Sequence, residues 1–268
     1  MSAGADTAYA KLNLALHVRA RRADGRHDIE TIFAFCEDGD RLSAEPVDTL
    51  SLTLSGPFAD ALSSRDNLVL DAARALQQSA GVDSGARLHL DKQLPVASGI
   101  GGGSADGAAA LRLLTRLWSI DEEYARAVAP SVGSDVPACL LSRPCRGSGA
   151  GDELEEISLA GLARRPVLLV NPRVHLSTTE VFARWSGVDY GPLGDWRTGR
   201  NDLEAPARRL VPQIALVLSW LETQPGADFV RMSGSGATCF ALFQDDQFRN
   251  RAAAAVPREW WHLATRLR

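Results

Sequence analysis

Leu12, Leu14, Leu16 and Val18 fall at every second position within residues 7–20, with polar or small residues between them. That alternation is the period of a half-buried strand. Residues 27–36 and 49–55 also read as strands, and Ala23-Asp24-Gly25 marks a turn. From Asn67 to Ala80 the period changes. Leu68, Ala72, Leu76 and Ala80 lie at helical intervals, and Asp66 stands where an N-cap is expected. Residues 85–91 return to a strand, with Leu88 and Leu90 alternating. A glycine-rich run from Pro95 to Ser104 then precedes an Ala- and Leu-rich helix over about 105–118, with a second helix expected over 121–129. The second half opens on a strand at 166–170, stopped by Asn171-Pro172, followed by a short helix at 178–185 and a Gly-rich stretch at 186–200. Helices are expected over about 201–210 and 212–223, strands over 228–232 and 237–243, a helix over 245–255 and a last strand over 259–266. Strands and helices mix without strict alternation, so α+β with two sub-domains fits better than a doubly wound sheet. The boundary is placed near residue 150, giving domains 1–150 and 151–268.

Composition narrows the class. With 268 residues, 45% hydrophobic and 23% charged, the chain has the makings of a globular core and no reason to be disordered. A net charge of -4 gives no nucleic-acid footprint. No apolar run approaches the ~18 residues of a membrane span, and the N-terminus lacks the basic start and apolar block of a secretory signal. The expected location is the cytoplasm. Cys36, Cys139, Cys145 and Cys239 form no C-x-x-C pair and read as reduced, buried thiols. The five histidines show no zinc-binding spacing. Of 29 basic residues, 27 are arginine and only Lys11 and Lys92 are lysine. A lysine in such a chain marks a position where a compact ammonium is needed and a planar guanidinium does not fit.

Gly99-Ile100-Gly101-Gly102-Gly103-Ser104 carries the strongest chemical signal. Glycines let backbone N–H groups approach an anion without Cβ interference, and the helix that follows turns its positive end to the same spot. Ser104 can cap that helix or offer its hydroxyl to a phosphate or Mg²⁺. The run is neither a P-loop nor a complete G-x-G-x-x-G. Asp106 suits the helix dipole but would repel a phosphate unless it points away or a metal intervenes. Ser233-Gly234-Ser235-Gly236 is either a tight hairpin or a second small-residue loop at the site. Asp135, in Gly133-Ser134-Asp135-Val136-Pro137, occupies a turn, and Lys11 and Asn13 share the polar face of the first strand.

Together these features resemble the GHMP kinase superfamily, small-molecule kinases named for galactose, homoserine, mevalonate and phosphomevalonate. Pro95 to Ser104 looks like its central phosphate loop, and Met232 to Ala237 like its C-terminal glycine motif. Five further segments narrow the likeness: Ala10-Lys11-Leu12-Asn13-Leu14, Asp24-Gly25-x-His27-x-x-x-Thr31-x-Phe33, Asp66-Asn67-Leu68, Leu94-Pro95 and Gly133 to Pro137. They are similar to the branch that phosphorylates a diphosphocytidyl methylerythritol on the non-mevalonate route to isoprenoid precursors. The motifs run in order from residue 10 to residue 243 and are specific as a set.

The resemblance implies a two-domain kinase that uses ATP and Mg²⁺, with substrates meeting in a cleft. It makes Lys11 and Asp135 the catalytic pair. It gives Pro95, Gly99, Gly101, Gly102, Gly103 and Ser104 to the phosphates, and Asn67 and Lys92 to the adenine side. Asn13, His27, Thr178 and Phe182 go to the cytidylyl substrate. Where the family usually has tyrosine before this histidine, Arg26 stands, and its planar guanidinium is expected to stack on cytosine opposite Phe182. Tyr9 replaces a frequent proline. The motifs assign no metal ligands, and the expected state is a monomer or weak homodimer acting on a small molecule. A GHMP kinase for another alcohol, such as homoserine or a sugar, is disfavoured by Asp24-Gly25-x-His27. A non-catalytic relative is disfavoured by the retention of both Lys11 and Asp135.

Overall fold

The computed structural model describes residues 4–64 and 67–268. Its contacts divide the chain into two compact units, each assembled from separate stretches. One comprises Met1–Ala10, Asp38–Val96 and Gly101–Ser142; the other comprises Lys11–Glu37, Ala97–Ile100 and Arg143–Arg268. The chain changes unit within each of its first two strands, β1 (Gly4–Arg21) and β2 (His27–Val47).

In the first unit, β4 (Gly85–Asp91) lies between β3 (Ser51–Ser55), which runs parallel to it, and the second half of β2, which runs antiparallel. Leu42 and Ala44 of β2 sit opposite Leu90 and Leu88, and all four are buried. The helices are α1 (Leu68–Ala80), α2 (Gly102–Trp118), α3 (Glu122–Val132) and α4 (Val136–Leu141). Ala108, Ala109, Ala110, Leu111, Leu113 and Leu114 bury α2 almost all round, as befits a helix with apolar residues on every face. Asn67 caps α1, its side chain accepting from the Val69 N–H at 3.0 Å, and Gly81 ends it in the left-handed conformation. Asp66, the expected cap, lies outside the described residues.

In the second unit the first half of β2 pairs with β5 (Cys145–Ser148), which pairs with β6 (Glu153–Glu156). A separate antiparallel sheet has the order β10-β7-β9-β8, built from β7 (Pro166–Asn171), β8 (Ala227–Met232), β9 (Cys239–Phe243) and β10 (Trp261–Arg266). Around it stand α5 (Thr178–Ala183), α6 (Glu204–Leu210), α7 (Gln213–Glu222) and α8 (Asp246–Ala254). Leu168 and Val170 of β7 meet Ile214, Val217 and Leu221 of α7 in its core. The expected α+β class holds.

The strand expected over 27–36 continues to Val47, and β5, β6 and α4 were not visible in the hydrophobic pattern. All four cysteines are buried, and burial pushes the Cys145 thiol up to about 12. Among the described residues no helix is long and apolar enough to cross a membrane.

Candidate active site

Lys11 lies in the middle of β1, buried although it is charged. Its ammonium donates to Asn13 Oδ1 at 2.9 Å and sits 4.9 Å from the centroid of the Phe33 ring. Asn13 is fixed in turn. Its Nδ2 donates to Thr31 Oγ1 at 2.8 Å, and Thr31 donates to the Ala15 carbonyl at 2.7 Å. Every polar group on this face therefore has a defined partner, which a buried polar cluster requires. Thr31 and Phe33 support the lysine, a role their place in the motif did not reveal.

The same unit brings the two outer small-residue runs together. Ser233 Oγ donates to the Gly99 carbonyl at 2.9 Å and accepts from the Asn13 N–H at 3.2 Å. The Lys11 N–H donates to the Ile100 carbonyl at 2.9 Å. Gly99 has φ +76°, and a Cβ there would stand 2.4 Å from the Ser233 carbonyl oxygen. Glycine at this position is thus demanded by the approach of another backbone segment. Residues 233–238 form the loop of the β8–β9 hairpin, and the Asn201 carboxamide holds it by donating to the Met232 and Gly234 carbonyls, both at 2.8 Å. Thr178, at the start of α5, reaches this loop through a 2.9 Å hydrogen bond between its hydroxyl and that of Ser235.

His27, Phe182 and Trp185 form a cluster of rings. The His27 and Phe182 centroids are 4.7 Å apart with planes tilted by 32°, and Trp185 meets His27 edge-on at 5.6 Å. His27 Nε2 and Trp185 Nε1 are both buried without a hydrogen-bond partner, an unusual state for polar ring nitrogens. Burial, reinforced by Arg21, lowers the His27 pKa and keeps the imidazole neutral at physiological pH. Arg26 is exposed and folds back on its own turn, its Nε donating to Asp24 Oδ2 at 3.2 Å.

The first unit carries the glycine run that opens α2. Gly101 enters the helix in the left-handed conformation, and no side chain caps it there. The opening N–H groups of a helix lack intrahelical acceptors, so this uncapped end presents donors suited to an anion. Ser104 lies within the first turn, so the capping role open to it is not used. A Cβ on Gly133 would stand 3.9 Å from Ser104 Oγ, which places the hydroxyl beside the turn bearing Asp135. Asp135 itself precedes α4 without capping it. Asn67 spends its side chain on the start of α1 and on the Ser63 carbonyl.

Lys92 is buried with two carboxylates, Asp40 and Asp106, each 2.6 Å from its Nζ. Burial alone would pull the Lys92 pKa down, but Asp106 and Asp40 outweigh it and hold the ammonium above its ordinary value. Burial pushes the Asp106 carboxyl well above the usual carboxylate range, with Lys92 drawing it partly back and Asp40 adding to the push. Asp106 therefore turns toward an internal cation, which answers the objection that it would repel a phosphate. Nothing in the pattern of residues 37–47 pointed to Asp40.

Among the described residues no group of three or more His, Cys, Asp or Glu side chains could hold a metal ion.

Comparison with known proteins matches residues 67–143 to the GHMP kinases N terminal domain and residues 189–263 to the GHMP kinases C terminal domain. The 4-diphosphocytidyl-2-C-methyl-D-erythritol kinase of Rhizorhabdus wittichii is 54% identical, the match covering 98% of this chain and 94% of the relative. The enzyme of the same name from Novosphingobium aromaticivorans is 48% identical over 98% of this chain and 92% of its own. A solved structure of 4-(cytidine 5'-diphospho)-2C-methyl-D-erythritol kinase superposes with a TM-score of 0.85 at 33% identity, covering 98% of this chain and 99% of that one. The buried lysine on β1, the uncapped glycine entry to α2 and these near-full-length matches agree: the chain belongs to the GHMP kinases and, within them, to the 4-diphosphocytidyl-2-C-methyl-D-erythritol kinase family.

Proposed function

We propose that this kinase transfers the γ-phosphoryl group of ATP, with Mg²⁺, to a hydroxyl of 4-diphosphocytidyl-2-C-methyl-D-erythritol. The observation that carries the reading is the 54% identity to a kinase of that name over almost the whole chain. The two family matches lie on either side of residue 150, in keeping with a nucleotide-binding part before it and a substrate part after it, except that residues 11–37 and 97–100 fold with the second unit.

Phosphoryl transfer asks the protein mainly for positioning and charge stabilisation. The N–H groups of Gly101 to Ser104 receive the phosphates, and Pro95 and Gly99 shape the run that leads to them. Asn67 borders the adenine. Asp135 orients the acceptor hydroxyl and accepts its proton as the oxygen attacks phosphorus and the bond to ADP breaks. Lys11, held by Asn13 and Phe33, draws negative charge from the transferring group. A magnesium ion bound with the phosphates would neutralise their charge, and the Ser104 hydroxyl would help to hold it.

Cytosine offers an amine donor and two acceptors at its edge. Trp185 and His27 hold ring nitrogens without partners in the same cluster, and Phe182 supplies a flat face. We place the base against Phe182 with His27 at its edge, Thr178 nearby and Arg26 covering the other side once it leaves Asp24. The 4.7 Å between the His27 and Phe182 centroids is too short for a ring to enter between them, so the base takes the open face of Phe182 or parts the pair.

The test is ADP release from ATP and Mg²⁺ with a panel of alcohols: the diphosphocytidyl substrate, homoserine and mevalonate. Turnover is expected with the cytidylyl compound alone. Turnover of homoserine without it would overturn the assignment.

A further inference from the structure

We infer that Asp40, Lys92 and Asp106 form a positioning unit for the triphosphate-binding run, so that Lys92 acts on the nucleotide through the loop and not by touching the adenine. The inference rests on the kinase reading above and assigns two residues, Asp40 and Asp106, that no motif singled out for binding.

Three elements meet at the Lys92 ammonium. Asp40 comes from β2, Lys92 is the first residue after β4, and Asp106 comes from the second turn of α2. Both Nζ–Oδ2 distances are 2.6 Å, and all three side chains are at most 3% exposed. Asp40 does more than pair with the lysine. Its Oδ1 accepts from the backbone N–H groups of Gln93 and Leu94, at 2.6 and 2.7 Å. It therefore clamps the chain that leads directly into Pro95 and the glycine run. At the other end, a Cβ on Gly102 would lie 3.1 Å from Lys92 Nζ, so the first helical residue rests on the ammonium. The start of the run and its entry into the helix are thus referred to one cation.

The charges give this arrangement rigidity. A carboxylate removed from water is costly unless it is paired, so none of the three groups can leave without stranding the others. Lys92 with Asp40 is neutral as a pair, and Asp106 adds a second acceptor that pins the ammonium from the helix side. Asp106 Oδ1 has no hydrogen-bond partner, so the carboxyl is held through Oδ2, at the ammonium. An arginine could not replace the lysine. Its fork needs more room than a point donor wedged between two oxygens and a glycine backbone.

A direct contact with adenine and a role in placing the loop make different demands on the ligand. The experiment measures displacement of a fluorescent ATP analogue from the full-length enzyme by Mg·ATP, tripolyphosphate and adenosine. Lys92→Met and Asp106→Ala should weaken ATP and tripolyphosphate by the same factor, about tenfold or more, and leave adenosine and the acceptor KM unchanged. Asp106→Asn keeps the shape and an acceptor toward Lys92, and should stay within about threefold of wild type. Loss of adenosine affinity in Lys92→Met with tripolyphosphate unaffected would overturn the inference. So would wild-type tripolyphosphate affinity in Asp106→Ala, or a gain of about tenfold in Asp106→Asn, which would mean that Asp106 faces the anion. If Lys92→Met does not fold, the contrast between alanine and asparagine at position 106 still decides. Failure of the wild-type enzyme to bind ATP would instead count against the kinase reading.

Discussion

The Lys11 ammonium donates to the Asn13 carboxamide oxygen two residues along the same strand, at 2.9 Å. Asn13 therefore does two jobs in the proposed mechanism, and they separate kinetically. If its main work is to hold Lys11, Asn13→Ala lowers kcat by about tenfold with little change in the KM of the acceptor. A rise in KM at constant kcat would make it only a substrate contact. Lys11→Arg keeps the charge but must fit a fork between Asn13 and the Phe33 ring, so we expect a loss in kcat of about 10²-fold or more.

Asp135→Asn should lower turnover by roughly 10²–10⁴-fold and leave ATP affinity unchanged, because the nucleotide is held by other residues. Single-turnover assays and calorimetric ATP titration give the two quantities. Wild-type turnover in this variant would reduce Asp135 to a turn residue.

Two glycines of the same run should fail in different ways. Gly102→Val drives a side chain onto Lys92 and should weaken ATP binding, with a smaller fall in melting temperature than a substitution at Gly99. Gly99→Ala puts a Cβ 2.4 Å from the Ser233 carbonyl at a positive φ and should cost roughly 1–3 kcal/mol of stability or more. Thermal melts beside ATP titrations distinguish them.

The KM for the cytidylyl substrate should rise at least several-fold in Phe182→Ala and in His27→Ala, with the KM for ATP unchanged. Base stacking is worth ~1–3 kcal/mol, which sets the scale of the first effect. Arg26→Tyr should be tolerated. Because Arg26 must leave Asp24 to reach a base, Asp24→Ala should lower the KM if Arg26 stacks. Wild-type behaviour of Arg26→Ala would leave the stacking to Phe182 alone.

His17 gives a pH signature. Its Nδ1 faces the Gly191 carbonyl at 3.1 Å and its Nε2 accepts from the Arg200 N–H at 3.2 Å, an arrangement that requires the neutral ring with its proton on Nδ1. Burial, with a smaller push from Arg200, lowers its pKa below the reference value of 6.5, although the Gly191 carbonyl works the other way. The unfolded chain thus binds the proton first as pH falls. Stability from this group is complete above 6.5 and declines as pH drops toward the folded-state pKa. The melting temperature should fall between about pH 7.5 and about pH 5.5, and His17→Gln should flatten that slope. An unchanged slope would assign the titration to other groups.

Much of this was legible because it was local. The strand of Leu12 to Val18, the helix before Gly81 and the entry to α2 each announce themselves by period or by glycine. The scarcity of lysine pointed to Lys11 and Lys92, and both are buried in charge networks or polar clusters. What stayed hidden depends on distant partners. Residues 37–47 contain Asp38-Gly39-Asp40 and Pro46 and lie outside the expected strands, yet they extend β2. Gly39 is there because a Cβ would lie 1.9 Å from the Ala8 carbonyl oxygen, and Asp40 is buried because Lys92 is. Likewise the Ser233–Gly236 run looks like a bare turn until Gly99, Asn13 and Asn201 are seen against it.

The hydrogen bond from the Asn13 N–H to Ser233 Oγ spans 220 positions of chain. During synthesis, the strand bearing Lys11 is therefore made about 220 residues ahead of the loop that anchors it. Local helices such as α1 and α2 can form meanwhile, but long-range pairing must wait, and waiting β segments are slow and prone to associate. A nascent chain halted at residue 150 should therefore leave the segment around Lys11 open to protease, and protection should arrive only with the last strands. The residue proposed for catalysis would be made long before it is locked in place.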